Sequence, residues 1–102
     1  MYELTEIRGQ VVGLHGVREI KRNKSQLRVG QALLSVNTQE QLKQGFMFFW
    51  NSEADKVREL KLGNVYRFLA PVTERKNCLL IFFLPKCTKI ELVRKCQIKE
   101  DS

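Results

Sequence analysis

Proline, histidine and cysteine are scarce in this 102-residue chain: two prolines, one histidine and three cysteines. So little proline leaves no room for a stiff proline-rich linker, and each proline marks a place where a strand ladder must end, bulge or lie at an edge. Cys78, Cys87 and Cys96 are nine residues apart with no C-x-x-C pair. An odd, widely spaced set builds neither a disulfide framework nor a zinc site and suits a reducing compartment, with two or three of the cysteines expected as small buried hydrophobes. His15 has no second histidine or nearby cysteine to complete a metal set, so it reads as a strand-surface residue and no metal is expected. No apolar run approaches the ~18 residues of a membrane helix, and no charged start leads into an apolar signal core, so neither a span nor secretion is expected. A glycine-rich phosphate loop, a nucleophile elbow and an isolated carboxylate pair are all missing, so the expectation is a non-enzyme without cofactors.

What is abundant is positive charge. Lysine and arginine total 18 against 11 acidic residues, a formal charge of +7. That excess points to an anionic partner, nucleic acid before a membrane surface. The length suits one domain, assigned to residues 1–98 with a tail at 99–102.

Period-two alternation dominates the pattern. Thr5 to Ile20 reads as one long strand whose phase slips near Val11-Val12, punctuated by Gly9, Gly13 and Gly16, as a strand that must bend sharply requires; the alternative is two short strands turning at Gly13. The polar Lys21–Ser25 is a hairpin turn. Leu27, Val29, Leu33 and Leu34 carry the second strand, with a further slip at Leu33-Leu34, and 37–44 is polar with one weak helical turn. Phe46–Trp50, five apolar residues between glycine and Asn-Ser, is a buried strand. Ser52 is then the N-cap candidate, with Glu53 and Asp55 in the first turn where carboxylates suit the helix dipole. Ala54, Val57 and Leu60 make the apolar stripe of a short helix near Ser52 to Leu60, and Gly63 stops it. Val65–Leu69 is a fourth strand continuing through Pro71 to Val72, Thr73–Asn77 a turn, and Cys78–Leu84 a strand covered on both sides. Thr88–Ile98 fits both periods and is read as a strand with a short tail.

Three pieces carry a family resemblance: Ile7-Arg8-Gly9-Gln10-Val11-Val12-Gly13-Leu14, Phe48-Phe49-Trp50-Asn51-Ser52-Glu53-Ala54-Asp55-Lys56-Val57, and Leu62-Gly63-Asn64-Val65-Tyr66-Arg67-Phe68. With Thr88–Leu92 they span about Thr5 to Val93. The chain resembles the oligonucleotide/oligosaccharide-binding (OB) fold, and more narrowly the single-stranded-DNA-binding domains of the replication protein A type. That resemblance implies an all-β fold with one short helix, a five-stranded Greek-key barrel with the helix plugging its base. The chain departs from the pattern in two places: Asn37-Thr38-Gln39-Glu40 replaces the usual Asp-x-Thr/Ser-Gly turn, and Thr73–Asn77 lacks a stacking aromatic.

Single-strand binding needs cations that track phosphates and aromatic faces on which bases stack. The candidate cations are Arg18, Lys21, Arg22, Lys24 and Arg28 on the first hairpin and Arg75 and Lys76 on the later one. Phe46, Phe48 and Trp50 share one strand face and Met47 and Phe49 the other. One set must fill the barrel while the other forms a stacking platform or a protein interface; Phe48 and Trp50 are the candidates for contact with bases. Ile90, Leu92, Val93 and Ile98 are the candidate partner interface. The implied function is a single-stranded nucleic-acid-binding subunit of a DNA-maintenance complex in replication, repair, meiosis or at telomeres. The partners are single-stranded DNA, with RNA as an alternative, and another protein subunit or a second copy, without a membrane. The location is nuclear or otherwise intracellular. The competing reading is a protein-interaction module with little nucleic-acid binding of its own.

Overall fold

The computed structural model describes residues 3–38 and 41–96, apart from the side chain of Arg22. Seven strands form one rolled sheet: β1 (Thr5–Arg22), β2 (Ser25–Asn37), β3 (Leu42–Trp50), β4 (Val65–Ala70), β5 (Val72–Glu74), β6 (Cys78–Phe82) and β7 (Lys89–Arg94), in the order β5-β6-β3-β2-β1-β4-β7. A 3-10 helix, Asn51–Glu59, separates β3 from β4. β1, β2 and β3 are joined by hairpins and β4 returns to pair with β1, which is the Greek-key order.

The expected count of five strands is corrected to seven, and the two prolines account for the difference. Val72 pairs with Ile81 and Thr73 with Leu80, while Tyr66 pairs with Leu92 and Phe68 with Ile90. These are two halves of one long hairpin, β4-β5 against β6-β7. One limb is broken at Pro71, and the other by the excursion at 83–88 that contains Pro85. Proline has no N–H to give a ladder, so a strand containing it is interrupted. The Phe82 N–H still donates to the Pro71 carbonyl at 3.1 Å, extending the β5–β6 ladder up to the proline.

β1 pairs with β2 and with β4, Gly9 and Gln10 facing both. Its register slips between Val11 and Gly13, as the change of phase predicts, and again between His15 and Arg18, where Gly16 and Val17 stand opposite Gly30 alone. It is a single bent strand with no turn at Gly13. The slip expected at Leu33-Leu34 is absent: β2 runs in unbroken register with β3 from Val29 to Asn37, so both bulges belong to β1. Of the weak helical turn expected in 37–44, residues 39–40 lie outside the described residues; among those described, β2 reaches Asn37, β3 begins at Leu42, and the Thr38 N–H donates to the Gln41 carbonyl at 3.0 Å. At the first hairpin Asn23 takes a left-handed φ of +56°, which asparagine tolerates better than most residues.

Ala32, Leu34 and Val36 of β2, Met47 and Phe49 of β3, Tyr66, Phe68 and Ala70 of β4, and Leu79 and Ile81 of β6 point inward and are buried. The alternation in β6 corrects the expectation of cover on both sides: Leu80 and Phe82 face out and are half-buried. The cysteines are corrected as well, Cys78 and Cys87 being half-buried and Cys96 exposed. Ala54, Val57 and Leu60, all buried, seal the barrel base, and their i, i+3, i+6 spacing suits a helix with three residues per turn. Ser52 does not cap it: Trp50 holds the N-cap position in extended backbone, and no side chain supplies a capping bond. The helix lies so close to β2 that a Cβ on Gly30 would collide with the Ala54 carbonyl oxygen and lie 2.8 Å from Val57 Cγ1.

After the helix the Asn64 N–H donates to the Lys61 carbonyl (3.1 Å), with Gly63 at φ +87°, a conformation cheap for glycine. The Tyr66 hydroxyl accepts from the Lys61 N–H at 2.9 Å and the Asn64 amide at 3.3 Å, and the Asn64 Oδ1 accepts from the Cys96 N–H at 2.8 Å. Tyr66→Phe removes the acceptor and strands two donors, at a cost of about 1–3 kcal/mol. The expected result is a melting temperature lower by roughly 5–15 °C. A calorimetric melt unchanged from wild type would show that water replaces the hydroxyl.

Candidate nucleic-acid interface

The alternation that sends Met47 and Phe49 into the barrel sends Phe46, Phe48 and Trp50 to its outer face. Trp50 is 37% exposed. β6 runs parallel to β3 with Phe46 beside Leu80 and Phe48 beside Phe82. Phe48 thereby lies between two rings, stacked on Trp50 at 6.1 Å between centroids and on Phe82 at 6.0 Å. Cross-strand partners share a face, so the same surface continues through Gln31, opposite Phe48, to His15 on β1, and through Val29, opposite Trp50, to Arg18. From Gln44 to Trp50 this aromatic lane is about 20 Å long at ~3.3 Å per residue.

A basic turn stands near each end of the lane. The β1–β2 hairpin projects past the Trp50 end and carries Arg18, Lys21 and Lys24, all exposed. The β5–β6 turn, with exposed Arg75 and Lys76, leads into Cys78, which pairs with Gln44 at the other end. Register divides the first group: Arg18 lies opposite Val29 on the aromatic face, whereas Lys21 lies opposite Gln26 on the reverse face with Glu19 and Arg28. Arg22 is the last residue of β1, opposite Ser25.

Pairing sorts the cations further. Arg28 donates twice to Asp55, at 3.1 and 3.3 Å, so its guanidinium ties β2 to the plug helix. Lys43, largely covered at the mouth of the barrel, donates to exposed Glu74 at 2.6 Å; this bond and the lysine's charge hold that carboxyl below its ordinary range. Arg67 donates to Glu91 at 2.7 Å and has Glu6 at 3.9 Å; the Glu91 hydrogen bond and charge raise its already high pKa. Among the described residues Arg18, Lys21, Lys24, Arg75 and Lys76 make no ion pair. These cations of the two turns are therefore unneutralised, as are Arg8, Lys61, Lys86, Lys89, Arg94 and Lys95 elsewhere on the chain.

Of the partner-interface candidates, Ile90 is half-buried against the core, and Leu92 and Val93 of β7 are exposed by 43% and 42%. Ile98 lies outside the described residues, as does the 99–102 tail. His15 is exposed on β1, at the strand surface as expected. Phe82 and Gln31 escape a reading of the sequence, because the cross-strand pairings that set them beside Phe48 leave no local signal.

A bent first strand shared by two parts of a rolled Greek-key sheet, with a helix closing the base, defines an OB-fold domain. In a search of solved structures the chain matches the solution structure of the second OB-fold domain of replication protein A from Methanococcus maripaludis, with a TM-score of 0.57 and 20% identity over 93% of this chain and 88% of that one. No protein-family model and no curated protein matches the sequence.

Proposed function

We propose that this domain binds single-stranded nucleic acid, DNA in the first instance, along the outer face of β2, β3 and β6. The observation that carries the reading is the Trp50–Phe48–Phe82 stack lying between two unneutralised basic turns. Bases stack on aromatic faces irrespective of sequence while cations follow the phosphates, and a lane of this length suits the lower end of the ~4–16 nucleotides per OB fold. Arg18, Lys24, Arg75 and Lys76 take phosphates. Lys21 and Arg22 extend the contact around the hairpin, and Arg28 acts as a strut that fixes it to the helix. In this reading the domain works inside a DNA-maintenance complex, in a nuclear or other intracellular setting.

With about four phosphates neutralised, the log–log salt dependence of binding to an oligothymidylate should have a slope near −3, at ~0.7 per phosphate. Reversing Arg18, Arg75 and Lys76 to glutamate together should weaken binding and flatten the slope by about 2, again at ~0.7 per contact. Fluorescence anisotropy across a salt series measures both. No binding at low salt, or a slope unmoved by the triple reversal, removes this face as the site.

A second reading rests on β7. Leu92 and Val93 are exposed on an edge strand, and such apolar surface favours a protein neighbour. In this reading Ile90, Leu92, Val93 and Ile98 dock another subunit or a second copy. It is compatible with the first, because β7 pairs with β4 and contributes no residue to the β3–β6 aromatic lane. Sedimentation of the pure chain and co-purification from its source test it, and a monomer that recovers no partner would remove it.

A further inference from the structure

Where Gly16 and Val17 bulge out opposite Gly30, the sheet leaves a surface recess of about 600 Å³ bounded by Leu14, His15, Gly16, Val17, Arg18 and Gln31. It adjoins the aromatic lane directly, since Gln31 is the cross-strand neighbour of both His15 and Phe48. Its size falls within the 300–1,000 Å³ usual for small-ligand sites, ample for a nucleobase. Among the described residues the side-chain amide of Gln31 and the guanidinium of Arg18 make no hydrogen bond within the protein, so both are available to a ligand.

Building on the proposed single-strand interface, we infer that this recess is a base pocket in which Gln31 reads an adenine turned out from the stack on Phe48. A glutamine amide presents a donor and an acceptor side by side, and adenine offers the matching acceptor and amino donor at adjacent positions. Arg18 at the rim meets the phosphate of the same nucleotide. Phe82, on the other side of Phe48, offers no such polar group, so at Phe48 the amide that can read a base lies on the β1–β2 side.

The test compares two fluorescent oligonucleotides, one of adenine and one of purine lacking the 6-amino group, on wild type, Gln31→Ala and Gly16→Leu. A Cβ on Gly16 meets no atom within 4 Å, so that variant fills the recess without disturbing the fold, which a melting curve checks. Wild type should favour adenine by at least about 5-fold, the low end of a bidentate contact. Both variants should lose the preference, each binding the two strands with equal affinity. Wild-type binding without discrimination, or a preference that survives both substitutions, overturns the pocket and leaves the proposed interface standing. Failure of wild type to bind either strand overturns both.

Discussion

Leu60→Asp is expected to abolish cooperative folding or to lower the melting temperature by more than about 15 °C. Leu60 is 4% exposed and belongs to the same core cluster as Val57, Tyr66, Phe68 and Phe83. Losing its burial costs about 1.5–3 kcal/mol, and placing an unpaired carboxylate there adds several more or forces the group to take up a proton. The total is a large part of the ~5–15 kcal/mol that holds an ordinary domain together. Little slack exists to absorb the change, because the helix is clamped against Gly30 on one side and joined to β2 through Arg28 and Asp55. Lys56, whose ammonium sits 5.3 Å above the Phe83 ring, fastens it to the end of β6. A variant that melts within a few degrees of wild type would show that the helix does not seal the barrel.

The second large effect concerns binding. Phe48→Leu and Trp50→Leu keep apolar cover on the outer face but remove the flat rings. Stacking is worth ~1–3 kcal/mol per base, so the pair together should reduce affinity for a single strand by at least about 30-fold. The salt slope should stay as in wild type, because no phosphate contact is touched. This separates the rings from the cations: charge reversals lower affinity and slope together, ring removals lower affinity alone. Both rings lie on the outer face, so the melting temperature should change little. Unaltered affinity in the double variant would mean that the stack serves another purpose, with a protein surface the next candidate.

Much of this architecture is legible along the chain. The glycines and broken alternation of the first strand announce its bulges, and the Ala54, Val57 and Leu60 spacing announces the plug. Split polarity in Phe46–Trp50 announces one inward and one outward row, although which row faces in depends on register with β2 and β6. Ser52 looks like a cap by residue type, yet capping is decided by backbone geometry, and Trp50 occupies the position. Arg28 looks like any other hairpin cation until the fold brings Asp55, 27 residues away, within 3.1 Å.

By itself the sequence determined what local chemistry can determine: strand periodicity, glycine turns, the two proline interruptions and the positive excess. Each is a property of neighbours along the chain, fixed by dihedral preference or by the alternation of side chains. Only the tertiary structure decided which aromatics stack, which cations remain unpaired, and that a two-residue bulge opens a recess beside Gln31. Those outcomes depend on pairings between distant segments, above all the parallel register of β3 with β6. No short-range preference encodes such a pairing; it is selected by the joint burial of Met47, Phe49, Leu79 and Ile81 inside one barrel.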